Sequence, residues 1–243
     1  GSLPPGPTGT QAPEAASGTR DLAAAPVLAA RHMVAAAHPL ATQAGLQMLR
    51  EGGSAVDAAI AVQLVLTLVE PQSSGIGGGL FLVHHDGRRV QAYDGRETAP
   101  AAATPELFLK DGEPMAFMAG VVGGRAVGVP GALRALELAH RAHGRLPWSR
   151  LFEPAIELAQ GGFAIGPRLS TLLRDASAAG LKRDPAAAAY FFEADGNPKT
   201  AGRVLRNPAL AAVLRDIAQG GADAFYAGPT AGAIVAAVRG HAG

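Results

Sequence analysis

The chain of 243 residues contains no cysteine. That excludes disulfides, thiolate zinc sites, iron–sulfur clusters and a thiol nucleophile, while leaving the compartment open. Aromatic residues are also scarce, at 5%, whereas alanine runs recur at Ala23–Ala25, Ala35–Ala37, Ala101–Ala103 and Ala186–Ala189. Such small residues predict close-packed helices. Excess charge of either sign is missing: 21 Lys and Arg face 20 Asp and Glu, for a net charge of +1. No broad basic surface therefore points to nucleic acid or to an anionic membrane, and neither is expected as a partner. No apolar run is long enough to span a bilayer, since the longest, Ala55 to Val69, contains Asp57 and Gln63. What remains is a chain rich in glycine and hydrophobic residues, long enough for one or two domains with a sizeable core.

The first residues stand apart. Gly1 to Thr19 hold four prolines and a single charge, with no apolar period, a composition that cannot offset the entropy of ordering. We read residues 1–25 as a disordered leader, with Gly1-Ser2 as a tag scar. Residues 26–243 read as one domain. Pro39 to Glu51 predicts a helix stopped by Gly52-Gly53, and Ser54 caps a second helix with Asp57 at capping-box spacing. This second helix, to Val69, is apolar on nearly every side and belongs in the middle of a core. Leu80–His85 and Arg89–Tyr93 predict two strands joined by an Asp86-Gly87 turn. The unbroken Leu80-Phe81-Leu82-Val83 run predicts a strand covered on both faces. Thereafter the pattern is helical: Gly131–His143, Trp148–Gln160, Pro167–Ala178, a helix capped by Asn207-Pro208, and Pro229–Arg239. The last of these stops abruptly at His241-Ala242-Gly243, which suggests part of a larger protein.

Several motifs could carry chemistry. Pro71-Gln-Ser-Ser-Gly-Ile-Gly-Gly-Gly79 places four glycines in five positions ahead of a strand, which implies positive φ or a close approach of another group. No Gly-Lys-Ser/Thr and no helix follow it, so a phosphate cradle is not supported. Gly128-x-x-Gly131 lacks the remainder of a dinucleotide fingerprint. Asp94-Gly-Arg-Glu-Thr-Ala-Pro100 sets Arg96 at a strand end, where its planar fork could hold a carboxylate. From spacing alone, a structural pair with Glu97 or Asp94 is the favoured account of that arginine. His84 and His85 point to opposite faces of a strand. His140 and His143, beside Arg141 and Arg145, read as a solvated helix face, so no metal is assigned. Ser73 and Ser74 lack a nearby base and a nucleophile elbow.

Taken in order, Gly52-Gly-Ser-Ala-Val-Asp-Ala-Ala59, Glu70-Pro-Gln-Ser-Ser-Gly-Ile-Gly-Gly-Gly-Leu-Phe-Leu-Val83, Asp94-Gly-Arg-Glu-Thr-Ala-Pro100, Gly128-Val-Pro-Gly131, Phe152-Glu-Pro-Ala-Ile-Glu-Leu-Ala-Gln-Gly-Gly-Phe163 and Phe225-Tyr-Ala-Gly228 resemble the γ-glutamyltransferase family. The resemblance runs from about Pro26 to Gly243. It implies an α+β fold, the αββα sandwich of an N-terminal-nucleophile hydrolase, here incomplete and with a mostly helical second half. It further implies a precursor that cuts itself into two subunits, 26–243 being the N-terminal portion of the large one. The threonine nucleophile would lie on a small subunit outside these residues, so no catalytic residue is assigned in this chain. By the same resemblance Arg96 grips the α-carboxylate of a γ-glutamyl substrate, Glu97 supports it, and the Gly75–Gly79 turn is structural. Leu80 departs from the family pattern, standing where some members have glycine or an aromatic residue. No cofactor is implied, the partners are a small γ-glutamyl compound and the small subunit, and the location is periplasmic or secreted. Two other readings stay open: an acylase of the same fold acting on glutaryl or β-lactam-type amides, and a non-catalytic binding chain.

Overall fold

The computed structural model describes residues 26–241, with 176–179 described as backbone alone. The leader at 1–25 lies outside the described residues. Pro39 starts the first helix, α1 (Pro39–Arg50), where its missing N–H costs nothing. His38 caps it, its Nδ1 accepting from the Leu40 N–H at 3.2 Å. The Gly52-Gly53 turn reverses the chain, and α2 (Ala55–Val69) begins on the predicted capping box. There the Asp57 N–H donates to Ser54 Oγ at 3.1 Å, and the Ser54 N–H donates to Asp57 Oδ2 at 2.8 Å. As its pattern requires, α2 is the central rod of the core: Ile60, Leu64 and Leu68 are buried against α1 and the helices that follow.

The strands β1 (Leu80–His85) and β2 (Val90–Gly95) pair antiparallel from Leu80↔Gly95 to His85↔Val90. Their turn is held by Asp86 Oδ1, which accepts from the Arg88 and Arg89 N–H groups, both at 2.8 Å. Two further two-residue ladders are formed by β3 (Leu109–Lys110) with β4 (Glu113–Pro114) and by β5 (Phe163–Ala164) with β6 (Val204–Leu205). The pattern had not marked either of them, because two residues are too few to show a period. Between these lie the short α3 (Phe117–Val121) and α4 (Ala132–His143), whose inner face (Leu133, Leu136, Ala139) packs on α2 and the hairpin.

The second half is helical as expected, with shifted boundaries. Trp148–Phe152 is a 3₁₀ turn feeding α5 (Glu153–Gly161), because Pro154 enters as a first-turn residue of a new helix. The expected helix over 167–178 closes early as α6 (Pro167–Leu173), followed by a 3₁₀ stretch to Arg183 and by α7 (Pro185–Phe191), capped by Asp184. The Asn207 cap holds: its Oδ1 accepts from Leu210 N–H at 2.9 Å and opens α8 (Pro208–Gly220). Leu214 and Ile217 of α8 close the core against α5 and Phe152, and the indole N–H of Trp148 donates to the Ile217 carbonyl at 3.0 Å. The chain then runs through α9 (Asp223–Tyr226) and α10 (Gly228–Gly240).

One expectation fails. The β1 run is covered on one face: Leu80 and Leu82 rest on the core, while Phe81 and Val83 are 65% and 70% exposed. Helix α4 lies behind the hairpin, and among the described residues no second layer lies in front of it. Half of a layered sandwich is therefore present, with an apolar outer face.

Candidate substrate-binding site

Arg96 and Glu97 are the first two residues beyond β2, and both are exposed. Three backbone segments converge there. The glycine turn 75–79 passes beneath Glu97, and residues 128–131 form a strap along the other side. The strap and the site segment exchange hydrogen bonds, Val129 N–H to Thr98 O at 2.8 Å and Thr98 N–H to Val129 O at 3.3 Å. The glycine turn is tied to α4, since the Gly131 and Ala132 N–H groups both donate to the Gly78 carbonyl at 3.1 Å.

Glycine is required at these crossings by proximity. A Cβ on Gly79 would stand 2.5 Å from Glu97 Oε2 and 2.7 Å from the Gly95 carbonyl oxygen. One on Gly131 would meet that same carbonyl from the other side and stand 3.0 Å from the Arg96 carbonyl oxygen. Backbone therefore packs on backbone above and below the Gly95–Glu97 segment. This meets the close-approach reading of the glycine motif.

The Arg96 N–H donates to Asp94 Oδ1 at 3.0 Å, which fixes the turn. Among the described residues its guanidinium enters no ion pair and no hydrogen bond. The structural pair with Glu97 or Asp94 is thus not formed. An exposed planar fork with its donors open, on a rigid base, is suited to a carboxylate. The Glu97 carboxylate lies instead on the Gly78–Gly79 backbone.

The other candidates separate from this point. Ser73 and Ser74 turn their N–H groups to the Glu70 carbonyl, both at 3.0 Å, as the exit from α2. Glu70 itself is buried, its Oε2 receiving Arg168 Nη1 at 3.1 Å and Gln72 Nε2 at 2.5 Å. The histidines are not a solvated face. His143 stacks on His84 with ring centroids 3.9 Å apart and meets the Tyr93 hydroxyl at 2.9 Å, because α4 lies against the hairpin. His140 Nε2–H donates to the Leu146 carbonyl at 2.8 Å and faces Asp57. Among the described residues no group of three or more His, Asp or Glu is placed to hold a metal ion. Nor, among the described residues, is any helix long and apolar enough to cross a membrane.

Sequence motifs, hairpin and strap all lie within one matched stretch. The profile of the family described as gamma-glutamyltranspeptidase matches residues 41–243. The chain belongs to the gamma-glutamyltranspeptidase family. The glutathione hydrolase proenzyme of Bacillus subtilis (strain 168) is 42% identical over 199 residues, which is 81% of this chain and 33% of that protein. The acylase ACY 1 proenzyme of Pseudomonas sp. (strain SE83) is 42% identical over 211 residues, 84% of this chain and 37% of that one. Among solved structures, the Helicobacter pylori gamma-glutamyltranspeptidase superposes with a TM-score of 0.84 at 32% identity, over 89% of this chain and 62% of that chain. The chain thus spans about a third of the length of the curated relatives it matches. The likeness bears out the α+β, N-terminal-nucleophile-hydrolase fold, including its helical second half.

Sequence reasoning missed two pairings around the site: Glu70 with Arg168 at the exit from α2, and Tyr226 behind the strap. Ninety or more positions separate the partners in each case, so no local pattern carries them. The one available signal for Tyr226 was its place in the Phe225-Tyr-Ala-Gly228 motif.

Proposed function

We propose that this chain is the N-terminal portion of the large subunit of an enzyme that hydrolyses and transfers γ-glutamyl amides, glutathione among them. Arg96 binds the α-carboxylate of the donor and Glu97 supports the turn beside it. The unpaired, exposed Arg96 guanidinium on a backbone-clamped segment is the observation that carries this reading. In the proposed reaction a threonine hydroxyl, freed at the N-terminus of a small subunit from the same precursor, attacks the γ-carbonyl. Its own α-amino group takes the hydroxyl proton and passes it to the departing nitrogen as the C–N bond breaks, so that the amine leaves neutral and the acyl-threonine ester remains. Water or an amino acid then accepts the γ-glutamyl group and regenerates the threonine. Arg96 contributes position, holding the far end of a small zwitterion so that its γ-carbonyl meets the nucleophile. On family membership the enzyme works in the periplasm or outside the cell.

The test is turnover of γ-glutamyl-p-nitroanilide by the full-length precursor and by Arg96→Ala. Hydrogen bonds to charged groups contribute about 1.5–3 kcal/mol, so the donor KM rises roughly 10- to 150-fold. An unchanged KM removes Arg96 from the site. The similarity to the Pseudomonas acylase ACY 1 proenzyme favours a second reading, in which the same arginine holds a glutaryl carboxylate. Comparing kcat/KM on glutaryl and γ-glutamyl anilides separates the two: dependence on the donor α-amino group selects the first.

A further inference from the structure

The strap at 128–131 is held from behind by a residue outside the proposed contact set. Helix α4 begins at Gly131, which has no side chain to cap the first turn. None fits there, because a Cβ would collide with the Gly95 carbonyl. The first-turn N–H groups still need acceptors. Gly78 O takes that of Ala132, and the Tyr226 hydroxyl, 92 residues along the chain, takes that of Arg134 at 3.3 Å. The same hydroxyl donates to the Pro130 carbonyl at 2.8 Å. One O–H group thereby serves both the helix start and the strap. Its ring is fixed by the Arg134 guanidinium 4.9 Å from its centroid, and by Phe225 packed edge-on. Arg134 is itself held by Asp223 at 2.6 Å and Glu137 at 2.8 Å. Burial raises the pKa of the phenol, which keeps the donor proton in place at ordinary pH.

We propose that Tyr226 is a positioning residue for carboxylate recognition: its hydroxyl sets the strap, and the strap sets Arg96. The coupling path is short and made of backbone. Tyr226 fixes Pro130, Val129 next to it bonds both ways to Thr98, and Thr98 lies two residues from Arg96. Gly128 lies so close to Glu97 that its Cβ would stand 2.8 Å from the Glu97 Cβ. Without the hydroxyl, the strap loses one of its anchors and the Arg96 backbone the support that reaches it through Thr98. This inference rests on the assignment of Arg96 to the donor carboxylate.

The experiment compares two donors in the full-length precursor: γ-glutamyl-p-nitroanilide, and 4-aminobutanoyl-p-nitroanilide, which is the same acyl group without its α-carboxylate. Tyr226→Phe should raise the KM of the first about 2- to 10-fold, the range for one neutral hydrogen bond. It should leave kcat nearly unchanged and spare the second donor, so that the preference between them falls by the same factor. Arg96→Ala is measured alongside. Loss of preference in Arg96→Ala but not in Tyr226→Phe overturns the positioning role and leaves the arginine assignment standing. No loss in Arg96→Ala overturns the assignment itself. Equal losses on both donors, with a lowered melting temperature, mark Tyr226 as purely structural and also overturn the proposal. If Tyr226→Phe folds too poorly for kinetics, Gly128→Ala, which pushes the strap off Glu97, carries the test. An unchanged preference there breaks the coupling path.

Discussion

Asp57 allows the packing logic to be tested quantitatively. Its side chain is fully buried, and Oδ2 alone gathers three backbone N–H groups: Ser54 at 2.8 Å, Arg145 at 2.9 Å and Leu146 at 3.0 Å. One carboxylate oxygen thereby caps α2 and ties it to the loop leaving α4, the helix on which the hairpin rests. Asp57→Ala orphans all three donors. At about 1 kcal/mol each, the low end of the cost of an unsatisfied group because water reaches part of this loop, the loss is about 3 kcal/mol. Asp57→Asn keeps an acceptor oxygen in the same place. Bonds to a charged acceptor are roughly twice as strong as neutral ones, so the asparagine should retain about half of the bonding and lose about half as much stability. Its NH₂ group would occupy the Oδ1 position, which accepts no hydrogen bond and lies 3.7 Å from His140 Nε2. Urea unfolding of the three proteins at one low concentration gives both differences. Equal losses for alanine and asparagine, or a loss under about 1 kcal/mol for alanine, would refute the assignment of this stabilisation to the Oδ2 bonds.

Other outcomes follow from single features. Gly79→Ala should cost about 1–3 kcal/mol through overpacking and weaken donor binding; pairing it with Glu97→Ala should recover only part of this, because the Gly95 carbonyl remains 2.7 Å from the new methyl. Kinetics and melting curves of the single and double variants read this directly. Burial lowers the His38 pKa, and its neutral Nδ1 caps α1. The unfolded chain therefore takes up the proton first, so stability is full above the usual histidine range and declines as pH falls through and below it. His38→Asn, which keeps a capping acceptor, should flatten that decline in melting curves recorded from pH 8 to 5. Finally, the outer face of the hairpin, with Phe81, Val83 and Val90 all exposed, should make the isolated 243-residue chain self-associate. Sedimentation velocity of this chain and of a Phe81→Ser, Val83→Thr variant checks it; a sharp monomer for the parent chain contradicts the idea.

Elements with a local cause were legible in the sequence. The Ser54–Asp57 capping box, the Asp86-Gly87 turn and the Asn207-Pro208 start each depend on residues within three positions, and the structure places all three as read. What was not legible depends on partners distant in sequence. Whether Arg96 pairs with its neighbours or stands open could not be decided from spacing, because Asp94 engages its N–H and leaves the guanidinium alone. His143, beside Arg141 and Arg145, suggests a solvated face, yet it stacks on His84 of the hairpin. The unbroken β1 run predicts two covered faces because an apolar run reports what a strand prefers, not whether a second layer is there to meet it. Arg96 and Glu97 came from family resemblance, with the glycine spacing marking only that something passes close.

The one-sided hairpin also has a consequence for the order of assembly. A two-stranded ribbon is at best marginal on its own in water, so β1 and β2 depend on α4 and the strap for their persistence. The helix pair α1–α2, by contrast, closes over a four-residue turn at 51–54 and buries its partners locally. Folding should therefore begin at the helices and reach the hairpin late. In hydrogen exchange, the α2 amides would be the most protected, and those of residues 80–95 would exchange through local opening well before global unfolding.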